Sequence, residues 1–230
     1  MMSARTNERG WRQVALGALM VASTSCGGLS QTVDRRLLRD IGIENKLQLF
    51  EAENEVSIAL DEREQLVREG QRLQRQVALT EAQRSDAEDD GKRASSKGDT
   101  KAEALAKLAV EVLGLKLAYL EEALDLLDER LDAQERLTQV ALAKFELAKA
   151  KIVKRNNVSG ASGLDLADFE EQVDGCVAQA KVAQQDLARV EKGVDEARAR
   201  WIAAREKLQK QSGGGLGSTW AEDTPTWGWQ

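Results

Sequence analysis

The chain has 230 residues, of which 31% are charged and 4% aromatic, and it contains one proline and no histidine. Without histidine it can form no Ser-His-Asp or Cys-His nucleophile and no HExxH zinc site. The net charge of −6, with both signs interleaved, gives no broad basic face for nucleic acid. We therefore expect a protein that is not an enzyme, with no catalytic residue, metal or cofactor. Ala, Leu, Glu, Lys, Arg, Asp and Gln dominate, which is typical of long helices and coiled coils.

Residues 1–25 have the layout of a secretory signal peptide. Three arginines in the first 13 residues precede a short apolar run, VALGALMVAS at 14–23, which is too short to span a bilayer. Small residues then lead to Cys26. This stretch resembles the lipobox of bacterial lipoproteins, with one departure: Ser23 stands where that family usually has leucine.

The resemblance implies that Cys26 is lipidated and becomes the N-terminus of the mature protein. More than one acyl chain on this residue would anchor the protein stably to a membrane. Because Gly27 is not aspartate, the resemblance also implies residence in the outer membrane, facing the periplasm, if the host is Gram-negative. Residues 26–33 are then predicted to be a lipidated, flexible tether. The alternative is an ordinary secretory peptide cut nearby.

Residues 34–211 are predicted to form one elongated helical domain. Its first helix is predicted over about 34–88, and Arg63 and Gly70 interrupt the coiled-coil rhythm of this helix. The apolar positions that keep the rhythm are Leu49, Ala52, Val56, Ala59, Leu66, Leu73 and Val77. The stretch DDGKRASSKGDT, at 89–100, is rich in Gly, Ser and charge and predicts the first turn.

Two further helices have longer apolar seams. The second is predicted over 100–155, where the polar residues Gln134 and Thr138 share the seam and are expected to set its register. The stretch RNNVSGASGLD, at 155–165, predicts the second turn. The third helix, over about 165–211, alternates spacings of three and four residues through an unbroken apolar series. Its members are Leu166, Phe169, Val173, Cys176, Ala180, Ala183, Leu187, Val190, Val194, Ala197, Trp201, Ala204 and Leu208.

Long helices joined by short turns predict an all-α fold, a long antiparallel coiled-coil three-helix bundle. At 1.5 Å per residue, this bundle is a rod roughly 80–90 Å long. Folding about residue 95 places Val77 near Leu113 and Leu49 near Ala141. Folding about residue 159 places Leu131 near Leu187.

The last stretch, residues 212–230, predicts a flexible tail. A Gly/Ser linker precedes Trp220, Trp227 and Trp229. Because tryptophan is a common interface anchor, we hypothesise that these three side chains dock a partner. The alternative is a disordered terminus that packs loosely on the bundle. Cys176 is interpreted as a small core residue with an inert thiol, and an intermolecular disulfide is its alternative.

Together, these features favour a non-enzymatic, membrane-anchored coiled-coil lipoprotein. It would act as a structural scaffold, spacer or adaptor in the bacterial cell envelope. The expected partners are the membrane, through Cys26, and an envelope protein, and homo-oligomerisation is compatible with the apolar seams. The alternative function is a periplasmic holdase-like chaperone that grips its clients with helical arms.

Overall fold

The structure is a computed structural model that describes residues 28–39 and 41–213. Three long helices account for most of these residues, and no strand occurs among them. The helices are α1 (Leu47–Ser96), α2 (Thr100–Arg155) and α3 (Leu166–Ser212). Single turns of 3-10 helix lie at Arg35–Leu38, Ile43–Lys46 and Ala161–Gly163. The predicted all-α fold with three long helices is confirmed.

The first turn is much shorter than the predicted stretch, 89–100. α1 continues through its Gly- and Ser-rich end to Ser96 instead of stopping near residue 88, and only 97–99 connect it to α2. Gly98 takes the left-handed backbone conformation, with φ of 71°, which glycine adopts without steric cost. Asp99 then caps α2, because its Oδ1 accepts a hydrogen bond of 2.9 Å from the Ala102 amide.

The start of α1 also differs from the prediction. Two 3-10 turns, Arg35–Leu38 and Ile43–Lys46, stand in place of the predicted start of the α-helix, and α1 begins at Leu47. Gly42, with an extended backbone, separates the two turns. The apolar side chains at 37–50 fit no single helical stripe, and several of those before α1 fold over the end of the bundle. Val33, Leu38, Ile41 and Leu49 form one buried cluster with Ala150, Ile152, Val153, Ala161 and Phe169.

The helix α2 is the shared partner of the other two. α1 and α3 each pack along α2 rather than along each other. Twenty of the 56 residues of α2 are buried, compared with six in each of α1 and α3. α2 therefore carries two apolar stripes, whereas α1 and α3 carry one each.

The predicted register between α2 and α3 is confirmed. The ring of Tyr119 stacks on that of Trp201, with centroids 5.5 Å apart. Further along, Arg130 Nη2 lies 3.3 Å from an oxygen of Glu191. These pairs agree with folding about residue 159.

The register between α1 and α2 differs from the prediction. Lys144 Nζ lies 3.3 Å from a Glu55 oxygen, and buried Gln134 donates a hydrogen bond of 2.9 Å to the carbonyl of Ala59. Partners of α1 are therefore displaced toward the C-terminus of α2, because the turn lies at 97–99 instead of being centred on residue 95. Gln134 binds the α1 backbone, as expected of a seam residue that sets register.

Gly70, which interrupts the predicted seam, is itself a packing residue. A Cβ atom at this position would lie 2.8 Å from Cδ2 of Leu127, a side chain that is only 4% exposed. The glycine thus makes room for a leucine of α2. Gly175, on the exposed side of α3, has no such neighbour within 4 Å.

We expect G175A to raise the free energy of unfolding by about 0.8–1 kcal/mol, because alanine favours the helix by that amount. G70A should fail to produce this gain, since its methyl group displaces Leu127. Denaturant unfolding followed by circular dichroism at 222 nm measures both values. Equal gains in the two variants would contradict the close contact between α1 and α2.

Candidate functional site

The two sites predicted from the sequence lie outside the described residues. These are the lipidation site at Cys26 and the tail residues Trp220, Trp227 and Trp229. The structure does describe the two places where the chain leads toward them. We call the end of the rod that holds residues 28–46 and the second turn the proximal end, and the end that holds 97–99 and Ser212 the distal end.

Residues 28–33, the N-terminal segment, lie against the bundle at the proximal end. Oε1 of Gln172 in α3 accepts hydrogen bonds from the Gln31 amide, at 2.8 Å, and from Ser30 Oγ, at 3.1 Å. Its Nε2 donates to the Gln31 carbonyl, at 3.1 Å. The side-chain amide of Gln172 therefore binds the Gln31 backbone twice, through its oxygen as acceptor and through its nitrogen as donor. Ser30 and Gln31, within the predicted tether, are held in this way.

A buried ion pair on α2 fixes the next part of the N-terminal segment. Glu146 and Lys149 have side chains that are 11% and 6% exposed, and Lys149 Nζ donates to Glu146 Oε1 at 2.5 Å. The other carboxylate oxygen accepts a hydrogen bond of 2.8 Å from the Val33 amide. The ammonium also lies 4.2 Å from the centre of the Phe145 ring. The pair thus binds the chain where it enters the bundle.

The second turn closes the proximal end from the other side. Asn157 and Gly160 have positive φ angles of 48° and 95°, which asparagine and glycine tolerate better than other residues. Ala161 packs into the buried cluster, and a Cβ atom on Gly160 would lie 3.4 Å from Leu37. Turn and N-terminal segment therefore cover the same apolar end.

Large apolar side chains remain exposed beside this end. Ile43 is 73% exposed, Leu47 is 64% exposed and Phe50 is 45% exposed. Leu47 and Phe50, three positions apart in α1, share one face of that helix, and Ile43 lies in the 3-10 turn just before it. Arg35 and Arg36 are exposed in the preceding turn. The proximal end therefore presents both apolar and basic side chains to its surroundings.

Halfway along the rod, a cleft of about 20 Å³ is lined by residues that include Glu69, Tyr119 and Arg130. Partial burial raises the pKa of the Glu69 carboxyl, against the opposing charges of Arg130 and Arg72. The cleft has room for about one water molecule.

Cys176 is half-buried in α3 and carries a free thiol. Burial raises the pKa of this thiol, so it stays protonated at neutral pH, and the thiolate is the nucleophilic form. Within residues 28–39 and 41–213, no three side chains of His, Cys, Asp or Glu are grouped as metal ligands would be.

No helix in the described part of the chain has an apolar run long enough to cross a bilayer. No known protein family matches the chain, and no curated protein or solved structure is detectably similar to it.

We expect E146Q to lower the free energy of unfolding by about 3 kcal/mol, because it leaves the buried Lys149 ammonium without its counter-ion. E170Q is the matched control: Glu170 pairs with Lys151 at 3.2 Å at the same end of the rod, but both side chains are about half exposed. E170Q should lower the free energy of unfolding by less than about 1 kcal/mol.

Denaturant unfolding of the two variants and of E146Q/K149M measures the difference. The double variant should recover part of the stability lost in E146Q, since it removes the unpaired charge. Similar small losses in E146Q and E170Q would show that the buried pair does not hold the N-terminal segment.

Proposed function

We propose that this protein is a non-enzymatic lipoprotein, anchored through Cys26, that acts as a structural spacer in the bacterial cell envelope. The observation that carries the proposal is the position of the two ends of the described chain. Residues 28–33 lie at the proximal end, and α3 ends at Ser212 at the distal end. Gln172, which binds residues 30 and 31, lies 40 positions before Ser212 in α3, so about 60 Å of helix at 1.5 Å per residue separates the two ends.

The geometry of the proximal end supports a lipid anchor at Cys26. Only Gly27 separates this cysteine from Gly28, a distance of at most about 7 Å along an extended chain. Acyl chains on Cys26 would therefore bring the proximal end itself to the bilayer. The exposed side chains of Ile43 and Leu47 suit such an interface. We propose that the protein is anchored in the outer membrane and faces the periplasm.

The distal end would then present the tail to an envelope partner. Gly213 caps α3 in the left-handed conformation, and its amide donates to the carbonyl of Gln209. Residues 214–230 continue from this point. We propose that tryptophans of this tail bind a partner held about 60 Å from the membrane anchor.

The packing of the helices favours a spacer over a holdase-like chaperone. A holdase that grips clients needs helical arms with an open space between them. In the described residues, α1 and α3 are each packed along α2, so the rod has no separated arms. A spacer requires only a continuous rod with distinct ends.

We expect C26A to release the protein from the membrane fraction or leave it unprocessed. C176A is the matched control, because it removes the other cysteine of the chain and should leave membrane attachment unchanged. Cell fractionation with metabolic labelling by a radioactive fatty acid measures both effects. Labelled, membrane-bound C26A would contradict the anchor.

The spacer role is tested by site-specific photo-crosslinking in intact cells. A crosslinker at position 226, beside Trp227, should give one discrete product that is lost in W227A/W229A. A crosslinker at Gln185, which is exposed in the middle of α3, should give none. A broad set of products from position 185 is the result expected of a chaperone and would overturn the spacer.

A further inference from the structure

An open groove of about 420 Å³ lies at the distal end of the rod. Apolar side chains from all three helices line it: Ala87, Ala94, Ala102, Leu105, Ala106, Ala109 and Leu208. The exposed residues Asp90, Arg93, Lys97 and Asp99 form its rim. Such a surface can bury a flat apolar group in its centre and pair with charges at its edge.

The groove exists because α3 ends before the hairpin of α1 and α2 does. Tyr119 stacks on Trp201, so antiparallel pairing places Ser212 opposite about residue 108 of α2. The first two turns of α2, from Thr100, therefore have no α3 residue beside them. The groove is the place that a longer α3 would have covered.

The chain that follows α3 starts at the mouth of this groove. Leu208, one turn before the end of α3, lines the groove, and Gly213 turns the chain out of the helix with φ of 68°. The six residues of the linker GGLGST, at 214–219, can span up to about 20 Å. Trp220 is thus the first aromatic side chain of the tail that can return to the groove.

We propose that Trp220 fills the groove of its own molecule. Burial of its indole ring on the alanine and leucine side chains would remove some 150–250 Å² of surface from water. Arg93 and Lys97 at the rim can lie over the ring. The contact is independent of the proposed lipid anchor and leaves Trp227 and Trp229 for the partner.

The charges of the tail fit the same placement. Glu222 and Asp223 follow Trp220 closely in the sequence, where their carboxylates can reach the basic side chains of the rim. The segment around Trp227 and Trp229 has no charged side chain. The rim itself carries two acidic and two basic side chains, and Arg93 pairs with Asp90 at 2.8 Å, so the short linker rather than charge selects Trp220 among the three tryptophans of the tail.

A second groove on the same hairpin fits the tail less well. It has a volume of about 430 Å³ and, like the first groove, four charged side chains in its lining: Glu88, Lys92, Glu103 and Lys107. No α3 residue contributes to it. Because α3 ends close to Leu208, the groove that Leu208 lines is the nearer of the two to the start of the tail.

The test uses the full chain labelled with 5-fluorotryptophan, which gives one ¹⁹F signal for each of its five tryptophans. Single Trp-to-Phe variants assign the signals. The change in chemical shift between H₂O and D₂O measures how exposed each ring is. We expect this change to be about half as large for Trp220 as for Trp227.

Two substitutions distinguish binding of Trp220 in the groove from the general effect of an added charge on α2. A102E places a carboxylate in the groove and suits the first turn of α2, so it should move the Trp220 signal to the position of the Trp227 signal. A104E is the matched control on an exposed site outside the groove and should leave the Trp220 signal in place. Circular dichroism checks that both variants keep their helices.

Three results would overturn the proposal. The first is an equal solvent isotope shift for Trp220 and Trp227 in the unmodified chain. The second is the same response to A102E and A104E. The third is a Trp220 signal that reverts on about tenfold dilution, because this would assign the groove to the tail of a second copy.

Discussion

The whole fold depends on α2 being buried along two faces at once. A helix that packs on one neighbour needs one apolar stripe, whereas α2 needs two, and its second stripe includes Leu108, Val112 and Tyr119. Because α1 and α3 pack on α2 rather than on each other, neither replaces the contacts of the other. Damage to α2 therefore affects both interfaces, and damage to α1 or α3 affects one.

The same dependence explains where polar groups are tolerated in the interior. Among the described residues, five of the six buried polar or charged residues belong to α2, Gln134, Glu146 and Lys149 among them, and the sixth, Thr80, lies in α1. Gln134 binds the backbone of α1, and Glu146 binds both Lys149 and the backbone of the N-terminal segment. Gln134 and Glu146 thus each position a different part of the chain against the central helix, which offsets the cost of their burial.

The sequence was sufficient for the number of helices and for the register between α2 and α3. There, the predicted turn at 155–165 agrees with the structure, in which α2 ends at Arg155 and α3 begins at Leu166, and the apolar series of α3 has no gap. The first turn was placed wrongly because Gly91 and the serines near it suggested a loop. In the structure, Gly91 lies inside α1, and a Cβ on it would approach Ala106 at 3.4 Å.

The proximal end was harder to predict because its contacts join residues far apart in the sequence. Val33 and Glu146 are separated by 113 positions, and no local periodicity connects them. The signal that could have suggested this contact was the group of apolar residues before α1 that fitted no single stripe. Such residues cover an end of a bundle instead of extending its seam.

The opposite positions of the two ends of the described chain also determine how the rod would respond to force. If the chain is pulled at the N-terminal segment and at Gly213, the load runs along the axis of the rod. α1 and α3 must then slide past α2 in shear, and the contacts along each interface resist together. Pulling apart two ends that lay side by side would instead peel the helices one turn at a time. A rod connected in this way is mechanically strongest along the direction in which a spacer is loaded.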